Sequence, residues 1–136
     1  MMQVLVDSSI WIDYFRGGGQ SGSVDALIDA NLLYTNDVIL AELIPALRLK
    51  RHYRVVNLLK EIALLRLEID WDELIAIQTQ CLQNGLNGIG IPDLIVAQNA
   101  KQNQCLVYSL DRHFAYLSDY LGFGLYLRKG IYRFTL

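Results

Sequence analysis

The chain has 136 residues, which sets one domain with room for a real core. Hydrophobic residues make up 53% and charged residues 19%, yet no uninterrupted apolar run approaches the roughly 18 to 20 residues of a membrane span. A formal net charge of -2 excludes a protein that coats nucleic acid by bulk electrostatics and leaves room only for a local basic patch. Part of the apolar surplus is expected in a subunit interface.

In chain order, Gln3 to Val6 reads as a short buried strand. Ser8-Ser9 then caps a helix from Ile10 to about Phe15. Arg16 to Gly22 is a flexible loop, and Ser23 caps a second helix, Val24 to Ala30, with Val24, Leu27 and Ile28 on its inward face. Leu32 to Thr35 is a brief strand. Asn36 or Asp37 caps a helix from Val38 in which Pro45 removes a backbone donor, so a kink or an end is expected near Ala41 to Leu43. His52 to Leu65 reads as an amphipathic helix, Leu67 to Ile69 as a strand and Trp71 to Asn84 as another helix. After the Gly85 to Gly90 loop, Pro92 suits a first helical turn, which starts a helix to about Asn103 with Asp93 at its N-terminus. Leu106 to Tyr108 is a buried strand, Arg112 to Tyr120 a helix and Leu125 to Leu127 a last strand before the tail Arg133 to Leu136. This alternation implies an α/β layer fold with a mainly parallel sheet, residues 1–136 forming a single domain.

Cys81 and Cys105 lack CxxC spacing and read as buried free thiols in a reducing compartment. The apolar segment after Met1-Met2-Gln3 is too short for a secretory signal. A cytoplasmic location with no membrane partner is expected.

Three carboxylates sit alone inside apolar runs: Asp7, Glu42 and Asp93. A fourth, Asp111, follows the run that ends at Leu110. An unpaired carboxylate in a core costs on the order of several kcal/mol, so each of these calls for a cation. No Lys or Arg lies between Arg16 and Arg48 or between Arg66 and Lys101, and only Asp111 has a basic neighbour, Arg112. Taken singly, Asp7 and Asp111 also read as helix caps, Asp93 as a residue favoured by the helix dipole and Glu42 as a solvated residue on an otherwise buried helix. Taken together, the four read as a metal site. Hard oxygen ligands without His or Cys point to Mg²⁺ or Mn²⁺ rather than zinc. In parallel sheets ligands bind beyond the carboxyl ends of the strands, where Asp7 and Asp111 fall.

The segments Val6 to Phe15, Leu40-Ala41-Glu42-Leu43, Pro92 to Ala97 and Ser109-Leu110-Asp111-Arg112-His113-Phe114 resemble the four acidic motifs of PIN-domain ribonucleases, specifically VapC toxins of bacterial toxin-antitoxin pairs. The resemblance spans nearly the whole chain and implies a PIN-like three-layer α/β/α domain. It makes Asp7, Glu42, Asp93 and Asp111 the metal-binding and catalytic acids, and it places Ser109 where a hydroxyl commonly lines the site. It also implies a homodimer and a small VapB-type antitoxin, whose extended apolar segment covers a groove and whose basic side chain reaches the acids. Two departures stand out: His113 occupies a position where many relatives carry a further acid, and Pro45 follows Glu42 closely.

The chemistry expected is hydrolysis of RNA, with a tRNA or ribosomal RNA loop as the target class that the resemblance implies. Water rather than the ribose 2′-hydroxyl attacks, giving 3′-hydroxyl and 5′-phosphate ends. Asp7, Asp93 and Asp111 are expected to hold one metal, with Glu42 binding a second or positioning water. Ser9 is placed to orient Asp7, although capping is its simpler role. Arg48, Lys50, Arg51, His52 and Arg54 form one basic cluster for an RNA path, and Arg112, Arg128, Lys129 and Arg133 another. His52 and His113 read as surface or phosphate-adjacent residues, since no second His is spaced to join either in a metal site. Gathered without a cation, the acids repel one another, so replacing Asp7 or Asp93 by Asn is expected to leave metal-free stability unchanged or to raise it. The competing readings are a catalytically weak PIN-fold binding module and a nuclease acting on DNA.

Overall fold

The structure is a computed structural model that describes residues 2–128 and 131–134. Its first strand, β1 (Val4–Val6), is completely buried, as three successive β-branched or large apolar residues require when both faces of a sheet are covered. It leads into α1 (Ser8–Phe15) and α2 (Ser21–Asp29), followed by β2 (Leu33–Thr35), α3 (Asp37–Leu49), α4 (Tyr53–Lys60) and β3 (Ala63–Leu64). The second half runs α5 (Trp71–Gln83), α6 (Ile91–Gln102), β4 (Leu106–Tyr108), α7 (His113–Leu121), β5 (Leu125–Arg128) and β6 (Ile131–Arg133).

The strands form one sheet in the order β3-β2-β1-β4-β5-β6, parallel except for the antiparallel β5–β6 pair. The first crossovers step away from β1 in one direction and the later ones return past it in the other. Right-handed connections therefore lay α1 to α4 on one face and α5 to α7 on the opposite face. This is the expected α/β/α layering. The reversal of direction falls between β1 and β4, where the carboxyl ends of neighbouring strands diverge and leave a crevice.

Several expected elements shift. The helix expected over His52 to Leu65 stops at Lys60, and the edge strand is Ala63–Leu64 rather than Leu67 to Ile69. Its pairing is confirmed by the backbone of Leu65, whose N–H donates to the Thr35 carbonyl at 2.8 Å. Apolar residues continue through this stretch, so periodicity alone does not mark the turn at Glu61 and Ile62. Residues 66–70 are held instead by amide side chains of α6: Asn99 donates to the Arg66 carbonyl, Gln102 to that of Glu68 and Gln98 to that of Asp70. Pro45 does not end α3, which runs on to Leu49. Pro45 and Ala41, whose carbonyl loses its helical donor, are both exposed, so that residue is open to hydration.

The caps also differ. Asp7, not Ser8 or Ser9, is the N-cap of α1. The second helix begins at Ser21 rather than after Ser23, and the Asp13 carboxylate accepts the Gln20 N–H at 3.0 Å just before it. Gly18 is required there, because a Cβ would lie 2.1 Å from Asp13 Oδ1. Ile28, expected to face inward, is exposed. Of the expected tail, Arg133 lies in β6, Phe134 is exposed, and Thr135 and Leu136 fall outside the described residues, as does Lys129.

Asn36 connects the two halves. It is fully buried, and its Oδ1 caps α3 by accepting from the Ile39 N–H at 3.0 Å. Its Nδ2 donates to Asn99 Oδ1 at 2.9 Å, while Asn99 Nδ2 donates to the Arg66 carbonyl at 3.1 Å. Asn36→Ala removes a cap and strands a buried acceptor on Asn99. The expected loss is about 2 to 3 kcal/mol, read as a lower urea midpoint at unchanged slope; a change below about 0.5 kcal/mol would dismiss this connection.

Candidate metal centre

The crevice between β1 and β4 receives Asp7, Asp93 and Asp111 from helix starts and Glu42 from the middle of a helix. Asp7 follows β1 directly and its N–H donates to the Tyr108 carbonyl at 2.9 Å, which seats it against the end of β4. The residue is buried. Its Oδ2 accepts from Ser9 Oγ at 2.8 Å, from Ser109 Oγ at 2.8 Å and from the Ser9 N–H at 3.4 Å. Ser9 Oγ lies 3.2 Å from Ser109 Oγ and accepts the Leu110 N–H at 3.0 Å. Ser109 Oγ in turn accepts the Asp111 N–H at 3.0 Å. The two serines thus brace the β1 and β4 ends and orient Asp7, so Ser9 does more than the capping first assigned to it.

Asp93 occupies the third position of α6, after Gly90 as N-cap and Pro92 in the first turn. There it accepts a hydrogen bond from the Gly90 backbone, the return half of a capping box. Asp111 precedes α7 and its Oδ1 accepts the His113 N–H at 2.9 Å. Glu42 lies near the middle of α3 and is exposed.

Electrostatics tie the four together. The Asp93 carboxyl is held above its ordinary range, first by lost hydration and then by the negative charges of Asp111 and Asp7, partly offset by His113 and the Gly90 hydrogen bond. Glu42 is likewise pushed up by lost hydration and by Asp7 and Asp93, with a hydrogen bond from Ser8 opposing the shift. Among the described residues no Lys or Arg forms an ion pair with any of the four.

One ligand atom each from Asp93, Asp111 and His113 lies within 4.8 Å of the others, a spacing one cation can bridge. Two carboxylates converging without a Lys or Arg partner suit a divalent ion, and the residues fit one. Asp7 and Glu42 stay outside this tight group. His113 is inside it, although sequence reasoning kept it out; its place two residues after Asp111 at a helix start was the available signal.

Beside Glu42 opens a groove of about 360 Å³ between α1, α3 and α4 that also takes in Arg16, Lys50 and His52. Of the basic residues named from sequence, Lys50 and His52 line it, whereas Arg48, Arg51 and Arg54 are exposed nearby in the chain without lining it. Arg16, which ends α1, was not among them. Arg112 is exposed at the N-cap of α7, beside Asp111 in sequence, and Arg128 and Arg133 are exposed on β5 and β6.

The expectation that acid removal is harmless to the metal-free protein now divides. Asp7→Ala deletes the α1 cap and the acceptor of two buried-side hydroxyls and should cost about 1 to 2 kcal/mol. Asp93→Asn should raise the melting temperature in EDTA at neutral pH. Because the folded carboxyl titrates above its unfolded value, its favourable contribution is present in acid and is lost as pH rises through the raised value. The Asn variant should flatten that part of the pH profile; a lower melting temperature for Asp93→Asn would mean that capping outweighs repulsion.

The profile of the PIN domain family matches residues 4–119. Among solved structures, the chain is similar to DNA-bound VapBC from Salmonella typhimurium, with a TM-score of 0.68 and 18% identity over 85% of this chain and 92% of that one. It is similar also to VapBC2 from Rickettsia felis bound to a DNA fragment from their promoter, with a TM-score of 0.68 and 15% identity over 85% of this chain and 93% of that one. A search of curated proteins finds no match. With the acids gathered at the sheet's switch point and the family profile spanning most of its length, this chain belongs to the PIN domain family.

Proposed function

We propose that the protein is a metal-dependent endoribonuclease, the VapC-type toxin of a toxin-antitoxin pair, which cleaves a tRNA or ribosomal RNA loop. The observation that carries this reading is the convergence of Asp93 and Asp111 beside Asp7 and Glu42 with no Lys or Arg paired to them among the described residues. A Mg²⁺ or Mn²⁺ ion held there supplies positive charge to the phosphate and lowers the pKa of a bound water. Asp93 and Asp111 bind the ion. Asp7 and Glu42 lie outside the tight group and would add negative charge beside the ion. Glu42 Oε atoms, at the mouth of the basic groove, orient the attacking water and accept its proton, a role suited to a carboxyl held above its ordinary range. Arg16, Lys50 and His52 take the phosphates of the approaching strand.

The partner we infer is a VapB-type antitoxin. Both solved relatives named above are VapBC complexes, and this chain carries a second groove of about 450 Å³ between α1, α2 and α4 with the apolar residues Phe15, Ile28 and Leu58 exposed along it. The two grooves share Phe15 and Val55. An extended apolar segment in the second groove thereby gains a path to Glu42 for a basic side chain. The homodimer rests on the apolar surplus, some of it exposed on one face of α5 as Trp71, Ile75 and Leu82. No helix among the described residues is long and apolar enough to cross a membrane, and we place the activity in the cytoplasm.

With Mn²⁺ the protein should cut structured RNA at few sites to 5′-phosphate ends, and EDTA should stop it. Glu42→Gln, Asp93→Asn and Asp111→Asn should each lower the rate at least about 100-fold, as losses of catalytic acid–base or metal-held groups do. Matched RNA and DNA oligonucleotides separate the ribonuclease from a DNA nuclease, and an unchanged RNA substrate under all conditions would favour a binding module.

Saturating Mn²⁺ should stabilise the parent by roughly 2.7 kcal/mol at about one hundred times the dissociation constant, a gain the Asp93→Asn and Asp111→Asn variants lose. Leu58→Glu, in the apolar groove, should leave cleavage intact while a neighbouring short reading frame no longer relieves growth arrest. Relief that survives this substitution would place the antitoxin elsewhere.

A further inference from the structure

We propose that His113 is a direct ligand of the metal through Nδ1, so that the centre is a mixed carboxylate and imidazole site that prefers Mn²⁺ to Mg²⁺. The inference rests on the nuclease reading above but concerns the identity of the ligands.

His113 Nδ1 lies 3.2 Å from Asp111 Oδ1 and, with an oxygen of Asp93, completes the group whose ligand atoms fall within 4.8 Å of one another. That separation lacks hydrogen-bond geometry and is an ion pair only when the ring is protonated; Nδ1 is shielded from solvent and has no hydrogen-bond partner. A shielded ring nitrogen that makes no hydrogen bond calls for an explanation. Two atoms bound side by side on an octahedral ion at about 2.0 to 2.1 Å stand about 2.9 Å apart, close to the observed spacing. The ring is held in this orientation from two sides. The His113 N–H donates to Asp111 Oδ1 at 2.9 Å, which fixes the backbone. Gly88 packs on the Cε1–Nε2 edge, where a Cβ would come within 3.2 Å of Cε1 and 3.6 Å of Nε2. Nδ1 itself faces the Asp111 carboxylate.

A nitrogen ligand changes what the site binds. Mg²⁺ takes oxygen donors almost without exception, whereas first-row transition ions accept imidazole. Among the ions expected from the carboxylates, Mn²⁺ is the one this set favours.

The test uses the full chain and Mn²⁺ alone, without RNA. Pulsed electron paramagnetic resonance of Mn²⁺ bound to the parent should show coupling to one directly bound ¹⁴N, and His113→Ala should abolish it. His113→Asn, whose side-chain oxygen stands near the position of Nδ1, should keep the ion and the fold but lose the preference. Its Mn²⁺ to Mg²⁺ affinity ratio, from titration calorimetry and competition, should fall at least about tenfold, since even groups behind the ligands are worth that much. Mn²⁺ bound to the parent without nitrogen coupling, or an unchanged ratio in folded His113→Asn, overturns the assignment and leaves the nuclease reading standing. Failure of the parent to bind Mn²⁺ at all overturns both.

Discussion

Mutual repulsion among carboxylates gathered at the carboxyl ends of β1 and β4 is the constraint around which the rest of the structure is arranged. Like charges in a crevice with reduced hydration disfavour one another's ionised forms, and the upward shifts of Asp93 and Glu42 record that cost. The fold meets it with dipoles rather than with cations. Asp7 caps α1, Asp93 stands in the first turn of α6 and Asp111 lies just before the Arg112 N-cap of α7, so three helix N-termini direct their partial positive charge and free N–H groups at the acids. Glu42, in the middle of α3, has no such end. Its only local relief is the Ser8 hydroxyl.

A second framework keeps these helix starts in register. Hydroxyls do so between the central strands, where Ser9 and Ser109 share the Asp7 carboxylate and each takes a backbone N–H of the loop after β4. Buried amides do so farther out. Asn36 joins α3 to α6, and Asn99 and Gln98 hold the segment after β3 that would otherwise leave its backbone groups unpaired. Glu42 thus owes its position to an amide that lies six residues before it, and Asp93 shares a helix with the amide's partner. The placement of the acids and the stability of the core are carried by the same polar contacts, and Asn36, Gln98 and Asn99 are among the most deeply buried residues.

The two grooves give this centre unequal surroundings. One is apolar and lies against α1, α2 and α4; the other carries Arg16, Lys50 and His52 and ends on Glu42. Because Phe15 and Val55 belong to both, a partner seated in the first can intrude on the second. An acid-rich centre with a basic approach and an adjoining apolar trough suits a nuclease that is restrained by a bound polypeptide.

What the sequence determined by itself was local. Carboxylates isolated in apolar runs are anomalous wherever the chain folds, so Asp7, Glu42, Asp93 and Asp111 stood out without coordinates, and the alternation of short apolar runs with amphipathic stretches specified a mainly parallel sheet. Asn36 as a cap and Pro92 in a first turn were equally readable, because capping involves only neighbours in the chain. Tertiary structure alone decided the rest. The edge strand at Ala63–Leu64 depends on the exposed backbone of β2, and the passage of α3 through Pro45 depends on that face meeting water. That Asp7 is both a cap and the acceptor of Ser109, 102 residues away, follows from the adjacency of β1 and β4. The approach of His113 to Asp93 and its packing on Gly88 follow from the same strand order, which brings α6 and α7 together. Spacing along the chain carries no trace of that order, because a cluster assembled from different loops is defined only when the sheet closes around it.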